Sequence, residues 1–374
     1  MLGGGQLARM LVIEGARLGL EMHVMSSASD DPAAQVCRNW YSGELSDAAR
    51  VAEFFKRVDF VTLESEFLDA EVIAEAEKLS KKAMTPALSI ISLLSDRLTQ
   101  KKWLVEAKLQ TSHFRALGRG SLGRAELEDF FANSKSGVVV KKRRFGYDGF
   151  GTYILRTEQD LEAFLAEYGS SLDEFIAEEF IKFKRELAIQ IAISRSGQVC
   201  EFPLVEWRAR DSKCWWVKGP VTHPRIAKAL PALRRALLKS KYVGVIAFEF
   251  FDTGRELLVN EVAPRVHNSG HYSIEALPMN QFSAHLCSIV GLNLPKKLMT
   301  AEGFAMLNLI GSRNGDSKNL DLAAVSKSSA HAKLHWYGKK ELRPGRKMGH
   351  LTALAKSGEV ALKTLLAIEK KIRL

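Results

Sequence analysis

Residues 248–270 have the sequence FEFFDTGRELLVNEVAPRVHNSG. β-Branched and aromatic residues dominate 242–251 and 257–262, and a polar segment with one glycine, 252–256, separates them. This pattern predicts two strands joined as a β-hairpin. We expect the functional site of the chain to be organised around this hairpin and its acidic residues.

The two predicted strands bring a pair of glutamates together. If the turn is symmetric about Arg255, Phe250 lies opposite Asn260 and Glu249 lies opposite Glu261. Facing side chains are about 4.5–5.5 Å apart at Cβ, so like charges repel there. A divalent cation removes the repulsion, and Mg²⁺ suits the position because it binds one or two carboxylates and fills its other positions with phosphate oxygens and water. The alternative is that one glutamate faces solvent and the other caps a turn.

A polar segment follows the second strand directly, before any helix is predicted. It contains Arg265, His267, Asn268, Ser269 and His271. A surface loop does not need so many different polar groups in seven residues. Beside a metal clamp, this segment predicts a binding site for an anion next to nucleotide phosphates.

The N-terminal 94 residues have the pattern of an α/β unit with a parallel sheet. Glycines precede the first predicted helix, and Gly3-x-Gly5-x-x-Ala8 also fits a dinucleotide fingerprint, which leaves an NAD-binding oxidoreductase as an alternative. The strand that should precede the fingerprint is only two residues long, which argues against that alternative. Glu64 and Glu66 follow a predicted strand, at the edge where such sheets bind ligands. Their alternative role is to cap a helix N-terminus.

A second glycine-rich segment follows the strand that ends at Lys141. Its loop, 146–151, has the sequence GYDGFG. Glycines allow backbone N–H groups to close over phosphates, and a lysine at the strand end supplies a positive charge. The pattern GxxxxGK[ST] occurs nowhere, so this is not a P-loop. A simple hairpin turn is the alternative.

Composition places the chain among ordinary globular proteins. Its 374 residues correspond to two or three domains at about 150 residues each. No apolar run reaches the roughly 18 residues of a membrane span, and no signal peptide is evident. The four scattered cysteines favour reduced thiols, so we expect a cytoplasmic protein. The net charge of +11 leaves a nucleic-acid-binding protein as an alternative. No run of six basic residues occurs, however, which argues against that alternative. We therefore expect the protein to act on small-molecule substrates and to bind neither nucleic acid nor a membrane.

Together the motifs resemble the ATP-grasp superfamily and, within it, the N5-carboxyaminoimidazole ribonucleotide synthetases. The strings that carry the resemblance are GGGQLARM (3–10), DRLTQK (96–101), GYDGFG (146–151), NEVAPRVHNSGHYSIEA (260–276) and HWYGKKELRPGRKMGH (335–350). The resemblance implies an α/β (α+β) chain with an N-terminal Rossmann-like parallel-sheet domain (1–94), a small lid domain (95–175) and a C-terminal mixed-sheet domain (176–374) with a β extension from about 295. It also implies a homodimer.

The family reaction is the ATP- and bicarbonate-dependent carboxylation of 5-aminoimidazole ribonucleotide, through carboxyphosphate, in purine biosynthesis. The resemblance implies these roles for matching residues. The ATP site consists of Arg97, Lys141, Gly146, Tyr147, Asp148, Gly149, Gly151, Glu178, Glu179, Phe180, Ile181, Glu186, Asn260 and Glu261, with the backbone of 178–181 at the adenine and Glu186 at the ribose. Mg²⁺, with Mn²⁺ as an alternative, binds Glu249 and Glu261. The ribonucleotide meets Glu64, Tyr147, Asp148, Arg265, Lys339 and Arg346, and bicarbonate and carboxyphosphate lie near His267 and Asn268. Tyr147, Asp148, Arg265, His267 and Asn268 are the implied catalytic residues. Other ATP-grasp ligases, such as formate-dependent glycinamide ribonucleotide transformylases, remain alternatives.

The chain departs from the family pattern at several positions. Its first strand is nearly absent, Phe145 stands where glycine is common, and Phe150 stands where arginine or lysine is common. A histidine expected near position 209 is missing, and we expect either that Arg208 or Arg210 replaces its contact or that turnover is lower.

Overall fold

The structure is a computed structural model that describes residues 1–146, 149–317 and 331–372. The N-terminal part is an α/β unit. Its two strands pair in parallel, and Leu2 forms parallel bridges with Met25 and with Leu63. The bounds are α1 Gln6–Arg17, β1 His23–Ser26, β2 Asn39–Ser42, α2 Ala48–Lys56, α3 Ala70–Ser80 and α4 Leu88–Ser95. The predicted parallel arrangement is confirmed, although the first strand contributes only the bridges of Leu2.

The next unit is a four-stranded antiparallel sheet with helices beside it. The elements are α5 Arg97–Glu106, β3 Phe114–Ala116, α6 Gly120–Ala132, β4 Val138–Lys142, β5 Thr152–Leu155, α7 Glu158–Tyr168 and β6 Phe175–Glu179, and the sheet order is β3-β6-β4-β5. Asp96 caps α5, because its carboxylate accepts from the N–H groups of Leu98 and Thr99. The sequence before this helix leaves both Ser95 and Asp96 as candidates for the cap, and the structure selects Asp96.

A larger antiparallel sheet forms the body of the molecule. Its order is β12-β11-β7-β9-β10-β13-β17-β15, with β8 paired to β7. The bounds are β7 Arg185–Ile193, β8 Val199–Glu201, β9 Val205–Arg210, β10 Lys213–Gly219, α8 Ile226–Lys239, β11 Gly244–Asp252, β12 Leu257–Ala263, α9 Ser273–Ala276, α10 Gln281–Val290, β13 Gly303–Ile310, β14 Gly315–Asp316, β15 Lys333–Trp336, β16 Glu341–Leu342, β17 Lys347–Ala355 and α11 Gly358–Glu369. Short 3₁₀ turns lie at Ala34–Val36, Leu172–Glu174 and Asn268–Gly270.

The body sheet is covered on both faces at β7 and β11, so these two strands are almost entirely buried. We expected a mixed sheet here, and the described strands pair antiparallel throughout, with one parallel bridge between Thr111 and Val259 at its edge. The predicted C-terminal extension is continuous with this sheet, since β13 pairs with β10. The overall α/β (α+β) architecture is confirmed, while the domain boundaries at residues 94 and 175 stay a prediction. Among the described residues, no helix has the length and apolarity needed to cross a membrane.

Candidate active site

The predicted hairpin is present, and it places two carboxylates opposite each other. Glu249 of β11 pairs directly with Glu261 of β12, as the sequence predicts. Between this pair and the turn the predicted register is wrong: Phe250 pairs with Val259 rather than with Asn260, because the hairpin is centred between Gly254 and Arg255 and not on Arg255. One extra residue in β12 then restores the predicted pairing at Glu249. Asn260 is therefore the extra residue of a β-bulge beside the glutamate pair.

The bulge has a direct effect on the site. In a regular strand, successive side chains point to opposite faces of the sheet, so Asn260 and Glu261 would diverge. Here the Asn260 amide oxygen accepts from Lys141 Nζ at 3.2 Å, and Glu261 Oε1 lies 3.4 Å from Arg97 Nη2. Both side chains thus contact basic residues, Lys141 at the end of β4 and Arg97 at the start of α5. The Glu261 side chain remains 41% exposed, so its carboxylate is open to a ligand.

Helix α5 covers the free edge of β12 at the same place. The Gln100 amide donates to the Val262 carbonyl at 2.8 Å and accepts from the Val262 N–H at 2.9 Å. A single side chain therefore replaces the missing neighbouring strand next to Glu261. Arg97 and Gln100 are three residues apart, so they share one face of α5.

Register also determines which residues share the face of the body sheet that carries the glutamate pair. Ala188 pairs with Glu249, and Glu186 pairs with Phe251. Since paired residues in antiparallel strands point to one face and alternate residues share that face, Glu186, Glu249 and Glu261 all point the same way. The structure therefore brings the implied ribose residue and the implied metal ligands onto one surface.

The glycine-rich loop is tied to this surface through Arg97. Its guanidinium donates to the carbonyls of Lys142 at 2.9 Å and Gly146 at 3.2 Å. Gly149 and Gly151 have φ values of +84° and +73°, which side chains rarely adopt. Tyr147 and Asp148 lie outside the described residues.

The structure shows the surroundings of two positions at which the chain departs from the family pattern, Phe145 and the region of the missing histidine. Phe145 is exposed and has φ +61°, a conformation that glycine adopts without strain. Its ring lies 6.1 Å from that of Phe67. Trp207 pairs with Glu186, so the alternation along β9 places Arg208 and Arg210 on the opposite face from that glutamate. The replacement of a missing histidine by either arginine stays a prediction.

The segment implied for adenine binding, 178–181, leaves β6 along the lid. The N–H of Glu179 donates to the His113 carbonyl at 2.9 Å, and that of Phe180 donates to the Gly137 carbonyl at 3.0 Å. Among the described residues, the Ile181 N–H has no such acceptor. An N–H group in this position can donate to a ring nitrogen of a base.

Glu186 is a half-buried carboxylate. Burial raises its pKa to about 7, because removal from water disfavours the charged form. A carboxylate of this kind gains from hydroxyl donors such as those of a ribose, which satisfy its oxygens.

This pKa leads to a stability prediction for the ligand-free protein. Because folding raises the pKa of this carboxyl group, its contribution to the free energy of unfolding is fully present below the unfolded pKa of 4.5. That contribution is lost as the pH rises through the folded pKa of about 7, since ionisation is then less favourable in the folded state. Glu186→Gln removes this loss. We expect the variant to gain up to about 3 kcal/mol in free energy of unfolding at pH 8, and this gain to shrink by roughly 2 kcal/mol at pH 5.5. Urea unfolding at both pH values measures it. The surface variant Glu158→Gln is the control, and an equal gain at both pH values would contradict the assignment.

The polar segment after β12 joins the hairpin to the N-terminal unit. Arg265 forms a two-point ion pair with Glu66, through Nε to Oε2 and through Nη2 to Oε1 at 3.1 Å. Both side chains are largely buried. Planar guanidinium–carboxylate pairs of this type hold their geometry well. Glu66 thereby orients Arg265, a function that the sequence alone did not reveal.

His267 and Asn268 are held by separate partners. His267 Nδ1 lies 2.8 Å from Ser269 Oγ and 3.8 Å from Glu249 Oε1. Burial, followed by the charge of Arg265, lowers the pKa of His267 well below its usual value, so the ring is neutral. Asn268 and Asn308 exchange amide hydrogen bonds of 3.0 and 2.6 Å.

Glu64 contacts the start of the first helix. Its carboxylate accepts from the N–H groups of Gly5 at 2.6 Å and Ala8 at 3.0 Å. This is the helix-capping alternative that the sequence left open. Burial raises the pKa of Glu64, although both N–H groups act in the other direction. The carboxylate is fixed beside the glycine turn, where a substrate group can also meet it.

The basic turn near the C-terminus packs on the N-terminal unit. The Gly338 carbonyl accepts from Gln35 Nε2 at 2.8 Å, and Lys340 Nζ lies 2.9 Å from Asp30 Oδ2. Lys339 Nζ donates to the Lys347 carbonyl at 2.9 Å. The body sheet, the N-terminal loop and this turn therefore come together.

Arg346 lies in the same turn. Its Nη1 donates to the Glu341 carbonyl at 3.0 Å, and its side chain is 35% exposed. The guanidinium is thus oriented by the backbone and still has donors for a ligand.

Buried histidines connect two of the strings that carry the family resemblance, 260–276 and 335–350. The ring of His350 lies 4.9 Å from that of His271 and 4.4 Å from that of His335, centre to centre. Tyr337 Oη lies 2.8 Å from His350 Nδ1. Burial lowers the pKa of His271 and of His350, so both rings are neutral. The strings 260–276 and 335–350 are therefore packed against each other.

A lysine and a glycine-rich loop on a small lid sheet, facing paired carboxylates on a larger antiparallel sheet, define an ATP-grasp enzyme. Three family models match the chain accordingly: an ATP-grasp domain over 102–282, a ribonucleotide synthetase preATP-grasp domain over 1–93, and a phosphoribosylaminoimidazole carboxylase C-terminal domain over 305–364.

Similarity to individual known proteins narrows the ATP-grasp class to one family. An N5-carboxyaminoimidazole ribonucleotide synthase of Synechococcus elongatus is 37% identical over 354 residues, which is 94% of this chain and 88% of that protein. The structure of an N5-carboxyaminoimidazole ribonucleotide synthetase from Thermus thermophilus has 33% identity and a TM-score of 0.86, covering 100% of this chain and 97% of that one. An Aspergillus clavatus synthase solved with ADP and 5-aminoimidazole ribonucleotide has 28% identity and a TM-score of 0.86, covering 99% and 97%. The chain belongs to the N5-carboxyaminoimidazole ribonucleotide synthase family and is an ATP-dependent ligase.

Proposed function

We propose a residue-level mechanism for this chain. Its reaction, the ATP-dependent carboxylation of 5-aminoimidazole ribonucleotide in purine biosynthesis, follows from its family. Bicarbonate is the proposed carbon source, and carboxyphosphate is the proposed intermediate. The single observation that carries the mechanism is the facing pair Glu249–Glu261 beside Lys141 and Asn260.

ATP lies between the lid and the body sheet in this mechanism. The Ile181 N–H and the neighbouring backbone hold the adenine, and Glu186 accepts from the ribose hydroxyls. Lys141 and the N–H groups of the loop 146–151 meet the phosphates, with Arg97 holding the loop in place. Preorganised donors in a site that excludes water stabilise developing charge more strongly than donors in water do.

The residues present fit a divalent cation. Two facing carboxylates are an unfavourable arrangement without one, and the Glu261 carboxylate is exposed. Glu249 and Glu261 would hold Mg²⁺, or Mn²⁺ in its place, with Asn260 beside them. The ion supplies charge neutralisation to the phosphate oxygens when it is bound.

Bicarbonate and carboxyphosphate lie beside His267 and Asn268. The neutral His267 ring can donate or accept a hydrogen bond without adding charge, and the Asn268 amide is oriented by Asn308. Bicarbonate oxygen attacks the γ-phosphorus of ATP, and ADP leaves. Carboxyphosphate is labile, so the closed lid protects it from water. The exocyclic amine of the ribonucleotide then attacks the carboxyl carbon of carboxyphosphate, or of CO₂ released from it. The bond from carbon to the phosphate oxygen breaks, phosphate leaves, and the amine proton passes to the released phosphate.

The ribonucleotide lies between the N-terminal unit and the body sheet. Lys339, Arg346 and Arg265 meet its phosphate and ring as charge-assisted donors, and Glu64 supplies an acceptor. Tyr147 and Asp148, which are outside the described residues, complete the proposed set from the glycine loop. The mechanism needs no nucleophile from the protein.

The test is ADP release with bicarbonate, in the presence and absence of aminoimidazole ribonucleotide. We expect release to depend on both, and ¹⁴C from labelled bicarbonate to appear in the ribonucleotide product. Formate replaces bicarbonate as the control, because a formate-dependent ligase would turn over with formate. An equal rate of ADP release in the presence and absence of bicarbonate would reject the mechanism.

Two coarser assignments remain proposals. The family resemblance implies a homodimer, which light scattering of the purified protein tests. A cytoplasmic location accords with the four cysteines, which are all buried free thiols.

A further inference from the structure

Lys141 rests on a buried cluster of charged side chains. The Glu178 carboxylate lies between two ammonium groups, with Oε1 3.1 Å from Lys141 Nζ and Oε2 3.0 Å from Lys101 Nζ. The Lys101 and Glu178 side chains are only 2% and 3% exposed. Charges buried to this extent require good partners, because removal of one partner leaves an uncompensated charge.

Lys101 has a full set of hydrogen-bond partners. Besides Glu178, its Nζ donates to Thr111 Oγ1 at 2.7 Å and to Ser112 Oγ at 2.9 Å. Ser112 Oγ in turn donates to Glu178 Oε2 at 2.7 Å. The three donors of the ammonium group are therefore used, which holds Lys101 and Glu178 in one geometry.

The same lysine is connected to the strand that carries the proposed metal ligand. Thr111 Oγ1 donates to the Val259 carbonyl at 2.6 Å, and the Val259 N–H donates to the Gln110 carbonyl at 2.7 Å. Val259 directly precedes Asn260, which accepts from Lys141. Lys101 thus contacts the lid through Glu178 and the edge of the body sheet through Thr111.

We propose that Lys101 and Glu178 are positioning residues for phosphoryl transfer: Lys101 holds the Glu178 carboxylate, which restrains the Lys141 ammonium beside Asn260 and Glu261. The inference rests on the proposed contact of Lys141 with ATP phosphates. Neither Lys101 nor the Glu178 carboxylate touches substrate in this arrangement, and both act through Lys141.

The charges of the cluster are consistent with this role. Although burial raises it, the pKa of Glu178 is lowered to about 2 by Lys101 and Lys141, so the carboxylate stays ionised. Burial lowers the pKa of Lys101 to about 8. Without Lys101, the buried carboxylate has Lys141 as its remaining counter-ion and pulls that ammonium away from Asn260.

The first test is Lys101→Met, assayed by ADP release with bicarbonate and aminoimidazole ribonucleotide. We expect kcat to fall about 30-fold, because a small misplacement of a group that acts on the transition state has a large effect. The KM for ATP should stay within about threefold, since the adenine and ribose contacts are unchanged. Lys102→Met is the matched control: it removes the same charge from the exposed next residue of α5 and leaves kcat unchanged.

The double variant separates positioning from a purely structural role. Glu178→Gln alone leaves two like charges around a neutral amide, and we expect a similar loss in kcat. Lys101→Met combined with Glu178→Gln removes the two most deeply buried charges together, and Lys141, which is 13% exposed, keeps its hydrogen bond to Asn260. We expect its kcat to exceed that of either single variant by at least about fivefold, a non-additivity typical of coupled residues. A structural role would instead lower the melting temperature without changing kcat per folded enzyme.

Two results would overturn the inference: folded Lys101→Met with kcat within threefold of the parent, or a double variant no better than the singles. If Lys101→Met does not fold, Ser112→Ala removes only the bridging hydroxyl, and a kcat loss of about fivefold with unchanged KM for ATP is expected. An unchanged kcat in Ser112→Ala would then count against it. A parent enzyme that releases no ADP would instead contradict the proposed function.

Discussion

Replacing Glu261 by glutamine is expected to lower the ATP turnover of the enzyme by about 10³-fold, because the phosphate oxygens lose a fixed divalent charge. Glutamine has nearly the same size, so the pairing of β11 with β12 persists. The Val262 backbone is also held independently by Gln100. The loss should therefore appear in kcat and in the Mg²⁺ concentration at half-maximal rate, while the unfolding curve stays close to that of the parent.

The control for this experiment lies in the same hairpin. Glu256→Gln removes one negative charge from the exposed turn and should leave turnover unchanged. Measurements at rising Mg²⁺ separate weak metal binding from a lost chemical role. A Glu261→Gln variant whose maximal rate and Mg²⁺ concentration at half-maximal rate are both within tenfold of the parent values would remove this glutamate from the metal site.

Replacing Arg346 by alanine is expected to raise the KM for aminoimidazole ribonucleotide by about 50-fold, because a charge-assisted contact with its phosphate is lost. The KM for ATP should change by less than about threefold, since ATP is proposed to bind on the other side, between the lid and the body sheet. Steady-state kinetics with each substrate varied in turn measures both values.

A neighbouring arginine provides the matched control. Arg343 lies in the same turn, is 63% exposed and pairs with Glu341. Arg343→Ala removes an equal charge and should leave both KM values near those of the parent. An equal rise of both KM values in Arg346→Ala would move Arg346 away from the ribonucleotide site.

The sequence alone was sufficient for the hairpin, because strand propensity and turn composition are local properties. The start of α5 was predictable for the same reason, with Ser95 or Asp96 as its cap, and the structure selects Asp96. The predicted pairing of Glu249 with Glu261 is confirmed, but it depends on the bulge at Asn260: with Phe250 opposite Val259, a regular strand would place Glu249 opposite Asn260. The bulge at Asn260 was not predictable, because one extra residue in a strand leaves no local signal.

Contacts between distant segments were invisible in the sequence. Glu66 meets Arg265 across 199 positions, and Gln100 meets Val262 across 162. The one available signal was spacing, since Gln100 and Lys101 follow Arg97 by three and four residues and share its helix face. Spacing shows which residues share a face and does not show what the face packs against.

The sequence by itself determined the family, the chemistry of the side chains and the hairpin, because these depend on residue identity and on neighbours along the chain. Only the tertiary structure decided that Asn260 turns toward Lys141, that Glu64 caps a helix, and that the Glu178 side chain is buried between two lysines. The physical reason is that burial and charge pairing depend on segments brought together by folding, and no local pattern encodes their distance.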